Sequence, residues 1–213
     1  MTTFLLVRHG ESQANLEGRF AGHWDIPLTE RGKLQARCTG EFLAKNYTVD
    51  SIYSSDLCRA MQTAQPVAER LELEIQKLPA LREIDAGAWE GQLFTHLQET
   101  YSDDYSLWRQ DIGNSRCTEG ESVEALSRRI YEALQQIAFE NPDKTVMIAT
   151  HATPIRAMQW RLGGQPLGYM KQIPWATNAS VTEVFFEKGA FSLGRVSYDA
   201  HLADMISQLP INV

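Results

Sequence analysis

Short apolar runs recur along the chain, and each is bounded by polar residues or by a turn. The run Phe4–Val7 and a similar run within residues 145–150 are typical of strands that are buried on both faces of a parallel sheet. Residues 73–78 instead alternate between apolar and polar side chains, as a half-buried strand does. The predicted strands cover residues 4–7, 49–54, 73–78, 145–150, 180–186 and 191–198, the last two forming a hairpin around residues 187–190.

Between these strands, apolar residues recur at helical spacing. Thr29 is predicted to cap the first long helix, and Ser55 or Asp56 to cap the second. The helices are predicted to begin near Thr29, Ser55, Ser122 and Pro154 and to end near Asn46, Leu71, Asn141 and Leu162. Residues 79–120 are irregular, with short helical pieces predicted near 92–100 and 105–111.

The alternation of strands and helices predicts the α/β class. We expect a single three-layer α/β/α domain over residues 1–213, with a mainly parallel sheet flanked by helices. The irregular region is long for a compact domain, and such regions are usually functional. Residues 84–120 are therefore predicted to form a lid that determines specificity.

The composition of the chain limits the classes of molecule that it is expected to bind. The chain has 213 residues, 22% of them charged, and a net charge of −7, which argues against nucleic acid or an anionic membrane as the main partner. The N-terminal residues carry no basic region and Arg8 interrupts their apolar run, so neither a signal peptide nor a membrane anchor is predicted. Cys38, Cys58 and Cys117 form no Cys-x-x-Cys pair, which predicts neither a disulfide framework nor a zinc site and favours a reduced, cytoplasmic location.

The candidate chemistry lies at the ends of the predicted strands. Arg8 and His9 follow the first strand directly, and His151 follows the strand at 145–150. Arg59 lies in the first turn of the helix after another strand. Because ligands of open α/β sheets bind at the carboxyl ends of the strands, these side chains are expected to share one crevice.

These residues lie within motifs that resemble the histidine phosphatase, or phosphoglycerate-mutase-like, superfamily. The motifs, in the family's order, are Leu6–Ser12 with Asn15, Gly22 with Leu28-Thr29 and Gly32, Ser54–Asp56 with Arg59, Leu81-Arg82-Glu83, Trp89-Glu90-Gly91, Gly120-Glu121-Ser122 and Ala149-Thr150-His151. The chain departs from the family pattern in carrying Ala152 after the second histidine and Ala21 in place of a hydroxyl residue.

The resemblance implies a role for each site residue. His9 would be the nucleophile that becomes phosphohistidine, Glu83 the general acid, and His151 a hydrogen-bond donor to the transferred group. The implied catalytic residues are Arg8, His9, Arg59, Glu83 and His151, and the implied substrate-binding residues are Arg8, Asn15, Gly22, Arg59 and Ala152.

Elementary electrostatics agrees with these roles. The two arginines would keep His9 neutral and also bind phosphoryl oxygens in a bidentate manner. No cofactor is expected, and no metal, because the histidines have arginine rather than carboxylate or thiolate companions.

The superfamily includes phosphatases and mutases, and the 84–120 segment bears on the choice. It carries two fixed cations, Arg109 and Arg116, against seven acidic residues, so it would repel a doubly anionic three-carbon acid. We therefore predict hydrolysis of a small phosphorylated metabolite. A cofactor-dependent phosphoglycerate mutase and a catalytically silent protein that binds a phosphorylated ligand are the alternatives.

The substrate is less clearly indicated. Residues 105–108 with Gly120-Glu121 resemble the α-ribazole-5′-phosphate phosphatases of cobalamin synthesis. Phosphoserine and a broad range of phosphomonoesters fit nearly as well. Five aromatic residues in the segment serve either as packing or as a stacking surface for an aromatic leaving group, namely Trp89, Phe94, Tyr101, Tyr105 and Trp108. The sequence favours neither a monomer nor a homodimer.

Overall fold

A six-stranded mixed sheet lies at the centre of the computed structural model, which describes residues 1–207; residues 208–213 of the predicted domain lie outside the described residues. The strands are β1 (Thr2–Arg8), β2 (Ser51–Ser54), β3 (Ile75–Lys77), β4 (Thr145–Thr150), β5 (Val181–Glu187) and β6 (Ala190–Leu193). Their order is β3-β2-β4-β1-β5-β6. The first four are mutually parallel, and the β5–β6 hairpin adds two antiparallel strands at one edge.

Seven α-helices connect or cover these strands in residues 1–207. They are α1 (Gln13–Glu17), α2 (Glu30–Asn46), α3 (Cys58–Leu71), α4 (Phe94–Thr100), α5 (Ser102–Gln110), α6 (Val123–Glu140) and α7 (Ala152–Leu162). Short 3₁₀ turns lie at Pro79–Leu81, Gly87–Trp89, Ile112–Asn114, Leu167–Gln172 and Ala200–Met205. None of these helices combines the length and apolarity that crossing a bilayer requires.

The alternation of side chains along β1 divides the core into two layers. Leu5 and Val7 pack on one face with apolar residues of α2 and α3, such as Leu43 and Val67. Phe4 and the other alternate residues face the opposite layer, which is formed by α6, α7 and the 84–120 segment. The predicted three-layer α/β class with a mainly parallel sheet is thus confirmed.

The register of β1 against β4 aligns the two predicted histidine positions. Arg8 lies opposite Thr150 in the parallel ladder, so His9 and His151 leave the sheet side by side. The backbone N–H of His9 donates to the Thr150 carbonyl at 2.9 Å. The carboxyl edge of the sheet therefore delivers both imidazoles to one place.

The helix starts test the predicted caps. Thr29 accepts a hydrogen bond from a first-turn N–H, which confirms it as an N-cap. Ser122, near which a helix is predicted to begin, caps α6 in the same way. The cap predicted at Ser55 or Asp56 is wrong. Helix α3 begins at Cys58, and its first N–H is bound at 2.7 Å by the Asp25 carboxylate, which comes from a distant loop.

Three predicted strands are shorter in the structure, and the one predicted at 49–54 begins at Ser51. Residues 73–78 contribute only three residues to β3, at the other edge of the sheet. The strand predicted to reach Tyr198 stops at Leu193, because Gly194 and Arg195 both pair with Glu183. Two residues opposite one form a β-bulge, and pairing resumes only at the Val181–Tyr198 bridge.

Candidate active site

A pocket at the carboxyl edge of the sheet contains most of the predicted site residues. Its walls include Arg8, His9, Asn15, Gly22, Arg59, Glu83 and Ala152. His151 lies behind this wall, with its ring centroid 5.2 Å from that of His9. The structure therefore brings together all eight residues that the sequence singled out.

His9 is buried and is held in one orientation. Its Nδ1 lies 2.7 Å from the carbonyl oxygen of Gly10, and since a carbonyl only accepts, Nδ1 carries the hydrogen. Burial, followed by the positive charges of Arg59 and Arg8, holds the pKa of His9 well below its usual 6.5. The ring is therefore neutral near pH 7, and the lone pair lies on Nε2.

Arg8 and Arg59 are buried cations with hydrogen-bonding capacity left over. Arg8 donates from Nη1 to the Ala176 carbonyl at 2.5 Å, and Arg59 donates to the carbonyls of Trp24 (2.9 Å) and Gly22 (2.7 Å). Burial lowers the pKa of Arg8 to about 10 against the opposing charge of Glu83, and burial also lowers that of Arg59. The Nε atom of each has no partner in residues 1–207. Two charged donors are thus available to an anion.

His151 is fully buried beside His9. Its Nε2 lies 2.9 Å from the hydroxyl oxygen of Ser55, while its Nδ1 is buried without a partner among the described residues. Burial is the main cause that holds the pKa of His151 well below 6.5, and Arg59 adds to it. This imidazole is therefore neutral as well.

The Glu83 side chain is 9% exposed and lies at the pocket wall. Its Oε1 accepts from the backbone N–H of Ile84 at 2.9 Å, and its Oε2 faces the N–H of Thr153 at 3.4 Å. The Glu83 carbonyl accepts from Arg129 at 3.2 Å and lies 3.0 Å from Nε2 of His23. Backbone and side chain are both held, so the carboxylate has a defined position.

Asn15, Gly22 and Ala152 contribute in different ways. The Oδ1 atom of Asn15 completes a capping box with Ser12, and none of the described hydrogen bonds uses its Nδ2. Gly22 has a φ of +50° and offers its carbonyl to Arg59. Ala152 is the first residue of α7, so its N–H belongs to a helix N-terminus at the pocket, a position that favours anions.

The aromatic residues of the 84–120 segment include buried packing residues and residues that line the pocket. Trp89 is fully buried and packs at the edge of Phe20 and Tyr105. Phe94 and Trp108 line the pocket and could contact a leaving group. Packing and pocket lining are thus both present in one segment.

The sequence analysis did not identify Trp175, Thr153 or Asn178. Trp175 stacks on Trp108 with ring centroids 6.3 Å apart and completes the pocket wall. Asn178 donates to the His9 carbonyl at 3.1 Å and to Asn15. These residues lie beyond the recognisable motifs, and no local pattern marks them.

One cluster near the pocket has the composition of a metal site. Ligand atoms of His23, Asp85 and Glu90 lie within 4.8 Å of one another. Glu90 already accepts from the N–H of His23 at 2.8 Å, and Asp85 accepts from the N–H of Gly87 at 3.0 Å. These hydrogen bonds give the cluster a structural role, because they stabilise the turn that follows Glu83.

Comparison with known proteins decides the family. The model of the histidine phosphatase superfamily (branch 1) matches residues 4–199. The chain belongs to this superfamily. Phosphoserine phosphatase 1 of Hydrogenobacter thermophilus is 32% identical over 207 residues, covering 96% of both chains. Adenosylcobalamin/alpha-ribazole phosphatase of Escherichia coli is 32% identical over 161 residues, or 76% of this chain and 79% of that one.

Among solved structures, Bacillus stearothermophilus YhfR matches this histidine phosphatase with a TM-score of 0.90 at 29% identity, covering 95% of this chain and all of the other. Family membership and the phosphatase relatives make the chain a phosphoric monoester hydrolase of the histidine type. The resemblance noted in the sequence is thereby confirmed.

Proposed function

We propose that this histidine phosphatase hydrolyses a small phosphorylated metabolite without a metal ion, through a phosphohistidine on His9. The observation that carries the proposal is the orientation of the neutral His9 ring. Its Nδ1 hydrogen is donated to Gly10, so the Nε2 lone pair faces a pocket that holds two buried arginines. A neutral nucleophile beside fixed cations suits phosphoryl transfer, which depends mainly on positioning and charge stabilisation.

In the first step, Nε2 of His9 attacks phosphorus, a P–N bond forms, and the bond from phosphorus to the leaving oxygen breaks. Arg8 and Arg59 stabilise the charge on the equatorial oxygens, with the N–H of Ala152 and the Nδ1 hydrogen of His151 as further donors. Glu83 gives its proton to the leaving oxygen, which departs as an alcohol.

In the second step, water attacks the phosphohistidine. Glu83, now a carboxylate, takes a proton from the water as the new P–O bond forms and the P–N bond breaks. Phosphate leaves, and His9 returns to its neutral form with Glu83 protonated. Protons and electron pairs balance over the cycle, and the residues named here supply every group it needs.

The test is hydrolysis of p-nitrophenyl phosphate in the presence of EDTA between pH 5 and 8. We expect turnover by the wild-type chain, loss of it in His9→Ala, and retention of it in His96→Ala, whose imidazole is exposed and, among the described hydrogen bonds, pairs with Thr100 alone. A radiolabelled phosphoenzyme that is stable in alkali and labile in acid should accumulate on rapid quenching. Activity that survives His9→Ala would contradict the proposal.

For the substrate, α-ribazole 5′-phosphate is one candidate. Its aromatic base would lie against the pocket wall formed by Phe94, Trp108 and Trp175. One relative carries the name of that activity, and another is a phosphoserine phosphatase. Parallel measurements of kcat/KM with both esters rank these two candidates.

A mutase and a protein that binds its ligand without catalysis would each behave differently from a phosphatase in solution. A mutase would interconvert phosphoglycerates faster than it releases phosphate, and NMR of 3-phosphoglycerate mixtures measures both rates. A silent ligand-binding protein would bind phosphate esters without turnover. The presence of His9, both arginines and Glu83 in one pocket supports hydrolysis over silence.

We also propose a cytoplasmic location. Cys38, Cys58 and Cys117 are all unpaired, and free thiols persist in a reducing compartment. Cell fractionation with a marker enzyme for each compartment tests this.

A further inference from the structure

A second cleft adjoins the catalytic pocket and is strongly cationic. Trp108 and Trp175 line both spaces, so this stacked pair lies between the two. The second cleft has a volume of about 260 Å³ and is lined by Arg109, Arg156 and Lys171. Two of these cations lie outside the 84–120 segment, so the acidic balance of that segment does not describe the charge around the leaving group.

Arg156 is the one buried cation among the three that line the cleft. It is 6% exposed, and its guanidinium lies 4.1 Å from the ring centroid of Trp175. Its Nη2 donates to the Lys171 carbonyl at 3.1 Å, while its Nε is buried without an acceptor. Burial lowers the pKa of Arg156 to about 10. The side chain therefore bears the desolvation cost of a buried cation.

No carboxylate offsets that cost. Within residues 1–207, no Asp or Glu oxygen lies within 4.0 Å of the nitrogens of Arg156, Arg109 or Lys171. Asp111, near the cleft in sequence, accepts from Asn114 through Oδ2, and its Oδ1 has no hydrogen-bond partner among the described residues. Buried charges in proteins are ordinarily paired, and Arg156 lacks a carboxylate partner at the wall of a cleft.

The comparison with Arg8 and Arg59 strengthens this point. Only these three arginines are buried in residues 1–207, and each has a buried Nε without a partner. Arg8 and Arg59 form the proposed phosphate clamp. Arg156 repeats their features on the other side of the stacked Trp108–Trp175 pair.

We propose that the cleft of Arg156, Arg109 and Lys171 binds a second anionic group of the substrate. The preferred substrates are then phosphomonoesters whose alcohol carries a carboxylate or a second phosphate, ahead of uncharged alcohols such as α-ribazole. This inference rests on the proposed phosphatase function. The chemistry shared by the two substrate classes is an oxyanion that accepts from a guanidinium.

The test compares matched substrates with the wild-type chain. 3-Phosphoglycerate carries a carboxylate where glycerol 3-phosphate carries a hydroxymethyl group, and fructose 1,6-bisphosphate differs from fructose 1-phosphate only in a second phosphate. We expect kcat/KM to favour the anionic member of at least one pair by roughly 10- to 100-fold, mainly through KM. The pair that shows the preference identifies the anion.

Variants then assign the preference to the cleft. Arg156→Gln should reduce that ratio to near one by raising KM for the anionic member, and Lys171→Gln should reduce it partially. Arg161→Gln is the control, since Arg161 lies on the same helix and packs on Tyr131, away from the cleft. Lys171 is exposed, so its variant remains informative if Arg156→Gln fails to fold.

Three results would overturn the inference. They are equal rates within both pairs, a faster reaction with α-ribazole 5′-phosphate than with either anionic substrate, or an equal loss on all substrates in Arg156→Gln. The last result would make Arg156 a support for Trp175 alone. Failure of the phosphatase function itself is distinguishable, because p-nitrophenyl phosphate would not be hydrolysed by the wild-type chain.

Discussion

Ser55 Oγ lies 2.9 Å from Nε2 of His151, and both side chains are fully buried. The N–H of Leu57 donates to the same oxygen at 3.3 Å, and the imidazole is the one acceptor that the described hydrogen bonds offer to the serine hydrogen. Since burial and nearby charge keep the pKa of His151 low, the neutral ring then carries its own hydrogen on Nδ1. Ser55 thus selects the tautomer with a hydrogen on Nδ1, which the proposed mechanism uses as a donor to the phosphoryl group.

Replacing Ser55 with alanine should remove this selection. We expect kcat/KM for p-nitrophenyl phosphate to fall roughly 10-fold, the equivalent of about 1–2 kcal/mol for a lost buried hydrogen bond, with most of the loss in kcat. Ser54→Ala is the matched control, because its hydroxyl donates to the Ser55 carbonyl and does not touch the imidazole. Equal losses in both variants would assign the effect to strand packing.

Arg129 holds the segment that carries Glu83. It forms a bidentate ion pair with Glu121 (2.7 and 3.1 Å) and donates to the carbonyls of Ala80, Arg82 and Glu83. A lysine cannot reproduce this fork of donors. Arg129→Lys is therefore expected to misplace the general acid while preserving the charge.

Substrates with different leaving groups distinguish a misplaced general acid from other defects. Nitrophenolate departs without protonation, whereas an alkyl alcohol needs the acid. Arg129→Lys should slow the hydrolysis of glycerol 3-phosphate by roughly 10-fold more than that of p-nitrophenyl phosphate, as Glu83→Gln should to a larger extent. Arg128→Lys, at the exposed neighbouring position, is expected to alter neither rate. A uniform loss on both esters would indicate a general structural defect.

The buried neutral histidines should make the fold sensitive to acid. The pKa values of His9 and His151 lie well below 6.5 in the native state, so below pH 6.5 the unfolded chain binds protons that the native chain does not. Their stabilising contribution is present above pH 6.5 and is lost as the pH falls. The free energy of unfolding should drop by about 1.4 kcal/mol per pH unit for each group. Burial also lowers the pKa of His201, which adds to the drop with the same sign.

Urea titrations between pH 5 and 8 measure this slope. The double variant His9→Asn with His151→Asn should show a shallower slope below pH 6.5, whatever its absolute stability. His96→Asn, with its exposed side chain, should keep the wild-type slope. An unchanged slope in the double variant would contradict the assignment of neutral native imidazoles.

Gly22→Ala should damage both stability and phosphate binding. The new Cβ would lie 2.5 Å from the Cβ of Ala86, at a φ of +50°, and the Gly22 carbonyl is an acceptor for Arg59. We expect a loss of about 2–4 kcal/mol in unfolding free energy from strain and overpacking, and a higher KM. Gly18→Ala provides the control, because Gly18 also has a positive φ (+67°) but a Cβ added there would meet no atom within 4 Å. It should cost about 1 kcal/mol and leave KM unchanged.

The sequence by itself determined the elements whose signals are local. The apolar runs before His9 and His151 predicted two parallel strands, and Thr29 and Ser122 predicted two helix starts. The order of parallel strands then placed both histidines at one edge, because the carboxyl ends of such strands coincide. The α/β class and the superfamily followed from these features together.

Contacts between distant segments were decided only by the tertiary structure. Asp25 caps a helix that begins at Cys58, and Arg129 holds a turn at Glu83. Trp175 closes the pocket against Trp108, which lies far away in the chain. No periodicity records such pairings, since each depends on where the whole fold brings two side chains.

The charge around the leaving group shows the difference most clearly. Acidic side chains outnumber basic ones within residues 84–120, so the sequence predicted that this segment would repel a substrate with a second anionic group. Folding places Arg156 and Lys171 beside Arg109 and leaves Arg156 buried without a counter-charge. Local charge depends on distance in space and on burial, and the linear sequence specifies neither directly.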